Sequence, residues 1–436
     1  MIQYEYVASG INFAVNHNKG DNYDEVYKKV NSWIGLLNNT NNHHVSGLFN
    51  AFTEADDGGI YTKHFPAFNS LMGDSGGLQM VSLGIGQISD EQKIKIYDIQ
   101  GKYSDTAMIF DEIPVTTPGA VFADAISAGT KRTKTELKDT SSRVFDPSKF
   151  ESSAIETARN IVNQINHFEK IESDTKVVCV LQGNSTEDYQ RWLDIILKKV
   201  PASEHKKIGG IAFGSPAFGA GLMEDIEKYF FISQIQAPDH LMKHFHLLGV
   251  GALGRLFPVA VFRNSGIIPA DVLISYDSTK HTGGLVRGDM QINEDCLRAE
   301  RSTQKNLSKQ ISTLVDFSTN ILKDPLTDIK WISDAIIQPK SQIIKMYGES
   351  GETNLKLTEL KFMILFCSVY NFIKTFDKCH KSEAFLNRVC GNQSVLSLKN
   401  VETRKEFDQW KNFAKSSVKS NKVKVMSDNN LSGFFE

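Results

Sequence analysis

Residues 176–215 read KVVCVLQGNSTEDYQRWLDIILKKVPASEHKKIGGIAFGS, and the alternation inside this stretch decides the fold. It opens on an unbroken apolar run that stops at Gln182-Gly183. Ser185-Thr-Glu-Asp188 then reads as a capping box. In the stretch YQRWLDIILKKV that follows, Trp192, Ile195, Ile196 and Val200 share one helical face. A second apolar run, IGGIAFG, begins after a polar break. Strands apolar on both faces belong to parallel sheets covered by helices. Strand, helix, strand in this order implies a right-handed crossover.

The same punctuation recurs on either side. FNSLMGDSGG (68–77), TAMIFDE (106–112), HLLGVGA (246–252) and DVLISYDS (271–278) each end an apolar run in a polar or glycine-bearing turn. Between them, Ile155, Ala158, Ile161, Val162 and Ile165 recur at helical spacing, and MEDIEKYFF and LGRLFPVAVF fill the next gaps. The expected fold class is α/β, a (β/α)8 TIM-type barrel with a mostly helical C-terminal extension. The barrel is expected over residues 1–295 and the extension over 296–436, where ELKFMILFCSVYNFIKTF is a strongly apolar helix candidate. In such a barrel the polar residues past the strand ends converge on one rim, where the chemistry sits. Residues 1–65 show only weak periodicity. Residues 116–150 read as a long exposed loop, and Arg404, Lys405, Lys411, Lys415, Lys419, Lys422 and Lys424 make the tail basic.

A chain of 436 residues with 41% hydrophobic and 23% charged content is composed like an ordinary globular protein. A net charge of -2 leaves no global basic field, so nucleic-acid binding would need a local patch. The five cysteines (Cys179, Cys296, Cys367, Cys379 and Cys390) form no C-x-x-C pair, which points to reduced thiols and a cytoplasmic location. The opening MIQYEYVASG lacks a secretory leader. Of the two most apolar stretches, 245–262 is interrupted by Arg255 and Pro258. The other, 360–373, falls short of the roughly 20 residues a membrane helix needs. A soluble protein without a membrane partner is expected.

Two of the turns carry an aspartate at the boundary. Asp74 precedes Ser75, Gly76 and Gly77, backbone that can approach a ligand closely. Asp277 ends the run VLISY. Each also reads as an ordinary turn or helix cap. Two carboxylates on one rim can divide acid/base and nucleophilic work in glycosyl chemistry. The carboxylate of Asp111 can accept two hydrogen bonds in one plane, which suits the N1 and N2 donors of guanine. The Gln182 amide and an N–H from Gly209-Gly210 can donate to O6. Such a site rejects bases lacking that edge, because its buried polar groups would be left unpaired. Taken singly, each of these residues also has a purely structural reading.

In order, DSGGLQ, IFDE, LQG, IGGIAFG, HLLGVG and YDS resemble the tRNA-guanine transglycosylase superfamily over about residues 66–285. The resemblance implies base exchange, in which guanine leaves a nucleotide and a 7-deazaguanine takes its place. Asp277 resembles the nucleophile that forms a covalent glycosyl-enzyme intermediate, and Asp74 the general acid/base. Asp111, Gln182, Gly209 and Gly210 match positions that read the guanine edge, with Ser75, Gly76 and Gly249 beside them. Leu78 and Leu248 match positions that sandwich the base. The target nucleotide must leave its stack to reach the pocket.

The chain departs from the tRNA enzymes of that superfamily in four ways. It has no C-x-C-x-x-C zinc motif, and Cys367, Cys379, His380 and Cys390 match no zinc spacing; no cofactor is expected for catalysis. The arginine-rich segment after the nucleophile is replaced by STKHTGG. The glutamate of GGLAVGE becomes Ser215, which suits a nitrile-bearing base such as preQ0. An aromatic residue becomes Leu78. Together these resemble the DNA-modifying transglycosylases of the Dpd type. The expected partners are therefore DNA, with tRNA as the alternative, and a free 7-deazaguanine base. Lys131, Arg132, Lys134 and Lys280 are candidate phosphate contacts. A homodimer or accessory subunit is also compatible with the sequence. Two other readings stay open: a non-catalytic nucleic-acid-binding or partner subunit, and a Mg²⁺-dependent barrel enzyme.

Overall fold

The computed structural model describes residues 4–11, 23–40, 43–52, 55–76, 88–116, 144–183, 185–214, 222–251, 253–264, 266, 268–278, 281, 289–290, 300–348 and 351–381. Eight parallel strands close into a barrel in the ring order β1-β2-β3-β4-β7-β8-β9-β10 and back to β1. They are β1 (Tyr4–Ser9), β2 (His43–Asn50), β3 (Leu71–Asp74), β4 (Thr106–Met108), β7 (Lys176–Leu181), β8 (Ile208–Phe213), β9 (His244–Leu247) and β10 (Leu273–Ser278). The two-residue strands β5 (Val115–Thr116) and β6 (Val144–Phe145) pair antiparallel outside the ring. Helices α1 (Asp24–Thr40), α2 (Ala55–His64), α3 (Asp90–Tyr103), α4 (Phe150–Lys170), α5 (Thr186–Lys199), α6 (Leu222–Gln234) and α7 (Leu253–Asn264) make the outer layer. The expected (β/α)8 architecture is what the chain adopts.

Local chemistry starts α5 where the sequence reading places it, and starts α3 in the same way. Ser185 accepts from the Asp188 backbone N–H at the start of α5. Ser89 and Gln92 form a reciprocal capping box at the start of α3, satisfying two otherwise unpaired donors. Trp192, Leu193 and Ile196 of α5 and Ala154, Ala158, Ile161 and Ile165 of α4 are buried against the strands.

Beyond β10 the short antiparallel strands β11 (Asp289–Met290) and β12 (Glu300–Arg301) precede α8 (Leu307–Asn320), α9 (Ile329–Ile337), α10 (Lys340–Tyr347) and the long α11 (Gly351–Lys381). The expected boundary near 295 falls outside the described residues. The described residues beyond it are mostly helical, and α11 packs on α7 and α1, where it serves as the eighth outer helix. Phe372 of α11 meets Tyr6 and Tyr276, and Phe376 meets Tyr276 and Tyr4, at ring separations of 5.0–6.2 Å. The apolar run ELKFMILFCSVYNFIKTF is therefore part of the barrel's own wall. No described helix is long and apolar enough to cross a membrane.

The aromatic contacts of Tyr4, Tyr6 and Tyr276 with α11 show which strand positions face outward. Successive side chains alternate, so Glu5, Ser275 and Asp277 face into the barrel. By the same argument Gly73 turns toward Gln100 of α3, and Asp74 turns inward. Barrel interiors are usually filled with branched apolar side chains. This one holds two hydrogen-bonded groups, Glu5 with Ser46 and Ser70, and His244 and His246 with Ser275.

Candidate functional site

Asp74, Asp111, Gln182 and Asp277 all stand at the C-terminal ends of barrel strands. Asp74 closes β3, and its Oδ2 accepts from Asn50 Nδ2 at 3.0 Å. Asn50 sits at the same height on the neighbouring strand, since the two residues are register partners. The Asn50 Oδ1 atom accepts the Phe52 N–H at 3.0 Å, so one side chain ties the β2 exit to the carboxylate. Ser75 is buried. Gly76 has φ +79°, and a Cβ there would fall 2.5 Å from Phe52 Cβ. Only glycine fits this turn, which is why the aspartate can be followed so closely by buried backbone.

Asp111 lies three residues past β4, in a segment held by α4. Asn160 Nδ2 donates to the Phe110 carbonyl at 2.9 Å, and the Glu112 N–H donates to Thr157 Oγ1 at 2.9 Å. Gln100 of α3 donates to both the Gly73 and Met108 carbonyls at 2.9 Å, clamping β3 to β4 directly behind the two acids. The Asp111 carboxyl is pushed up to about 7, chiefly by burial, with Asp74 and Glu112 adding repulsion and the Gln182 hydrogen bond opposing. Gln182, just past β7, gives its Nε2 to Asp111 Oδ2 at 2.5 Å. Its Oε1 is buried and takes no hydrogen bond. One of its two amide hydrogens is thus used on Asp111, and Oε1 offers an acceptor beside it. A buried acceptor without a partner costs about 1–3 kcal/mol, a cost that a ligand N–H would remove.

Asp277 is held from two directions. Its Oδ1 accepts the Gly249 N–H at 2.7 Å and lies 3.3 Å from His246 Nε2. Gly249 has φ +66°, which brings its N–H round to the carboxylate. That N–H is thereby directed at Asp277. Leu248 is half-exposed on the same turn and packs on the core. The hydroxyl of Tyr6, buried behind the same strand, meets His281 Nδ1 at 2.7 Å, and burial, together with the Asp277 charge, raises its pKa.

Gly209 and Gly210 are not at the rim. Val177 and Val178 pair with Ile208 and Gly210, which puts both glycines at the N-terminal end of β8. A Cβ on Gly210 would meet the His244 carbonyl at 2.9 Å, and one on Gly209 would meet Lys176. The glycine beside Gln182 is Gly214, where a Cβ would lie 2.2 Å from Nε2. Four residues of strand separate the two positions, and strand length alone moves the expected contact from one to the other.

β2 and β1 lie between the strands of Asp74 and Asp277. An eight-stranded barrel with strands about 4.8 Å apart and tilted about 36° places backbones three steps apart at roughly 14 Å. Both side chains point inward and narrow that gap toward the width of a purine. The arrangement sets two carboxylates across the barrel mouth, with Asp111 and Gln182, past β4 and β7, continuing the rim from Asp74.

Leu78, Lys131, Arg132, Lys134, Lys280 and Cys390 lie outside the described residues, as do the side chains of Cys379 and His380. Cys367 is buried in α11 among core residues, accepts from Asn371 Nδ2 at 3.7 Å, and has its thiol pKa raised by burial. Among the described residues no three His, Cys, Asp or Glu side chains gather as a metal site. The sequence reading missed Asn50, His246 and Gly214. The alternating histidines of HFHL, polar at every second place in an apolar strand, are a signal for inward-facing function. No protein-family model and no curated protein matches this chain.

Proposed function

We propose that the chain is a guanine transglycosylase that exchanges guanine in a nucleic acid, DNA in the first instance, for a 7-deazaguanine. The observation that carries this reading is the joint placement of inward-facing Asp74 and Asp277 on one rim, with the buried Asp111–Gln182 pair beside them. Asp277 Oδ2, which takes no hydrogen bond from a described residue, attacks C1′ of the flipped nucleotide. The C1′–N9 bond breaks, its electron pair goes to the purine, and an ester joins the sugar to Asp277. Asp74 supplies the proton that the departing guanine needs. It then takes one from the incoming base, whose nitrogen attacks C1′ and frees the Asp277 carboxylate.

Recognition follows from unmet acceptors. Gln182 Oε1 and the second oxygen of Asp111 match the N1–H and N2–H donors of a guanine edge, whereas adenine offers no donor at N1. The resemblance of the six strand-end motifs to transglycosylases, and the replacement of the arginine-rich segment by STKHTGG, favour DNA over tRNA.

The test is capture of the ester on a denaturing gel with guanine-containing DNA and with tRNA. Wild type is expected to form the adduct with DNA, and Asp277→Ala to form none. An adduct in the Asp277→Ala protein removes that residue from the chemistry. Absence of adduct with both polymers refutes the enzyme reading.

A further inference from the structure

The barrel interior holds a line of polar side chains that the base-exchange steps leave unused. His246 Nε2 lies 3.3 Å from Asp277 Oδ1, and His246 Nδ1 lies 2.8 Å from Ser275 Oγ. The same hydroxyl lies 2.6 Å from His244 Nε2. Beneath them Glu5 accepts from Ser46, from Ser70 Oγ at 2.9 Å and from Asn69 Nδ2 at 3.0 Å. Burial pushes His244 down to about 4, with Glu5 opposing, so its ring is neutral at working pH.

With Asp277 ionised and both rings neutral, these contacts can be satisfied in one direction only. An ionised Asp277 accepts and never donates, so His246 must carry its hydrogen on Nε2. The Nδ1 of a neutral His246 is then a lone pair, and the single proton of Ser275 turns toward it. The Ser275 oxygen is left to accept, which requires the hydrogen of His244 on Nε2. Each proton is placed by the one nearer the carboxylate.

We propose that His246, Ser275 and His244 form a one-way hydrogen-bond chain that holds the Asp277 carboxylate in its attacking orientation, with His246 the positioning residue. The part concerning attack rests on the transglycosylase reading; the chain itself does not. By occupying Oδ1 together with the Gly249 N–H, the chain leaves Oδ2 as the nucleophilic oxygen. It also explains why a barrel core should hold polar side chains where apolar ones pack better.

The experiment has two arms. In the first, ¹⁵N-histidine spectra of the full-length protein report the tautomers, with assignment by His246→Gln and His244→Gln. Both rings are expected as Nε2–H. Ser275→Ala is expected to leave His246 as Nε2–H, still held by Asp277, and to release His244 into a mixture, since nothing then accepts from its Nε2. A wild-type Nδ1–H form of His246, or a His244 tautomer ratio untouched by Ser275→Ala, overturns the chain. In the second, single-turnover ester formation is measured. A hydrogen bond to a charged group contributes about 1.5–3 kcal/mol, so His246→Phe should slow the step roughly 10–100-fold with KM for the oligonucleotide unchanged. His246→Gln, which keeps a donor near the Nε2 position, should recover much of the rate. A His246→Phe protein that forms ester at the wild-type rate overturns the positioning role. If wild type itself forms no ester, the function reading fails alone, and the tautomers still decide the chain.

Discussion

Replacing Asp111 by Asn should stabilise the protein at high pH and leave it unchanged at low pH. The folded-state pKa of Asp111 is about 7 against an ordinary 3.8, and burial is the main cause. A raised carboxyl pKa is a cost carried by the ionised form. The native state binds the proton more tightly than the unfolded chain, so stability falls as pH rises from 3.8 to 7 and stays low above. Each pKa unit corresponds to about 1.4 kcal/mol, and the three-unit gap therefore amounts to roughly 4 kcal/mol at pH 8. Asn carries no charge and can still accept the Gln182 Nε2 hydrogen. With an unfolding entropy near 2.1 cal/mol/K per residue, a 436-residue chain should gain about 4 °C in Tm at pH 8, about half that at pH 5 and almost nothing at pH 4. Scanning calorimetry of both proteins across that range is the assay. A Tm difference that does not change between pH 4 and pH 8 refutes the claim that a buried, charge-penalised acid sits at this rim. The same variant should lose discrimination between guanine and adenine, since stability is surrendered here to keep an acceptor waiting for a ligand.

Asp74→Asn keeps the Asn50 contact but cannot move a proton, so guanine exchange should fall roughly 10²–10⁴-fold while Tm stays within a degree or two; exchange of labelled guanine at the wild-type rate would contradict the acid/base role. Gly76→Ala forces a side chain into a left-handed turn costing about 1–2 kcal/mol, and its Cβ would meet Phe52 as well. A urea midpoint equal to wild type would show that the turn is not as tight as described. Gln100→Leu strips a donor from the Gly73 and Met108 carbonyls and an acceptor from Gln164 Nε2. At about 1–3 kcal/mol for each buried orphan the loss should be several kcal/mol, read as a lowered urea midpoint, and a neutral substitution would remove the clamp from the account.

Much of the rim was legible before any coordinates. The apolar runs ending at Asp74, Gln182 and Asp277 are strands, and each of these residues stands at a strand exit. The error at Gly209 and Gly210 shows the limit of that reading. A motif places residues in order, but β8 runs on to Phe213, and only the pairing with β7 reveals that Gly214 is the glycine against Gln182. Nothing in a linear string says that Asp111, 71 residues earlier, takes an amide hydrogen of Gln182. The histidines of HFHL passed unnoticed for the same reason: their partner Ser275 lies on another strand.

Sequence alone determined the alternation of strands and helices, the caps that start α3 and α5, and the acids at the strand ends. Those properties depend on neighbours two to four residues away, and hydrophobic period and side-chain reach act at that range. The tertiary structure alone decided that α11, arriving some seventy residues after β10, seals the ring between α7 and α1. It also decided which oxygen of Asp277 is held by Gly249. Closure of a barrel brings together groups that no local pattern relates, and hydrogen-bond direction is set only once both partners are in place.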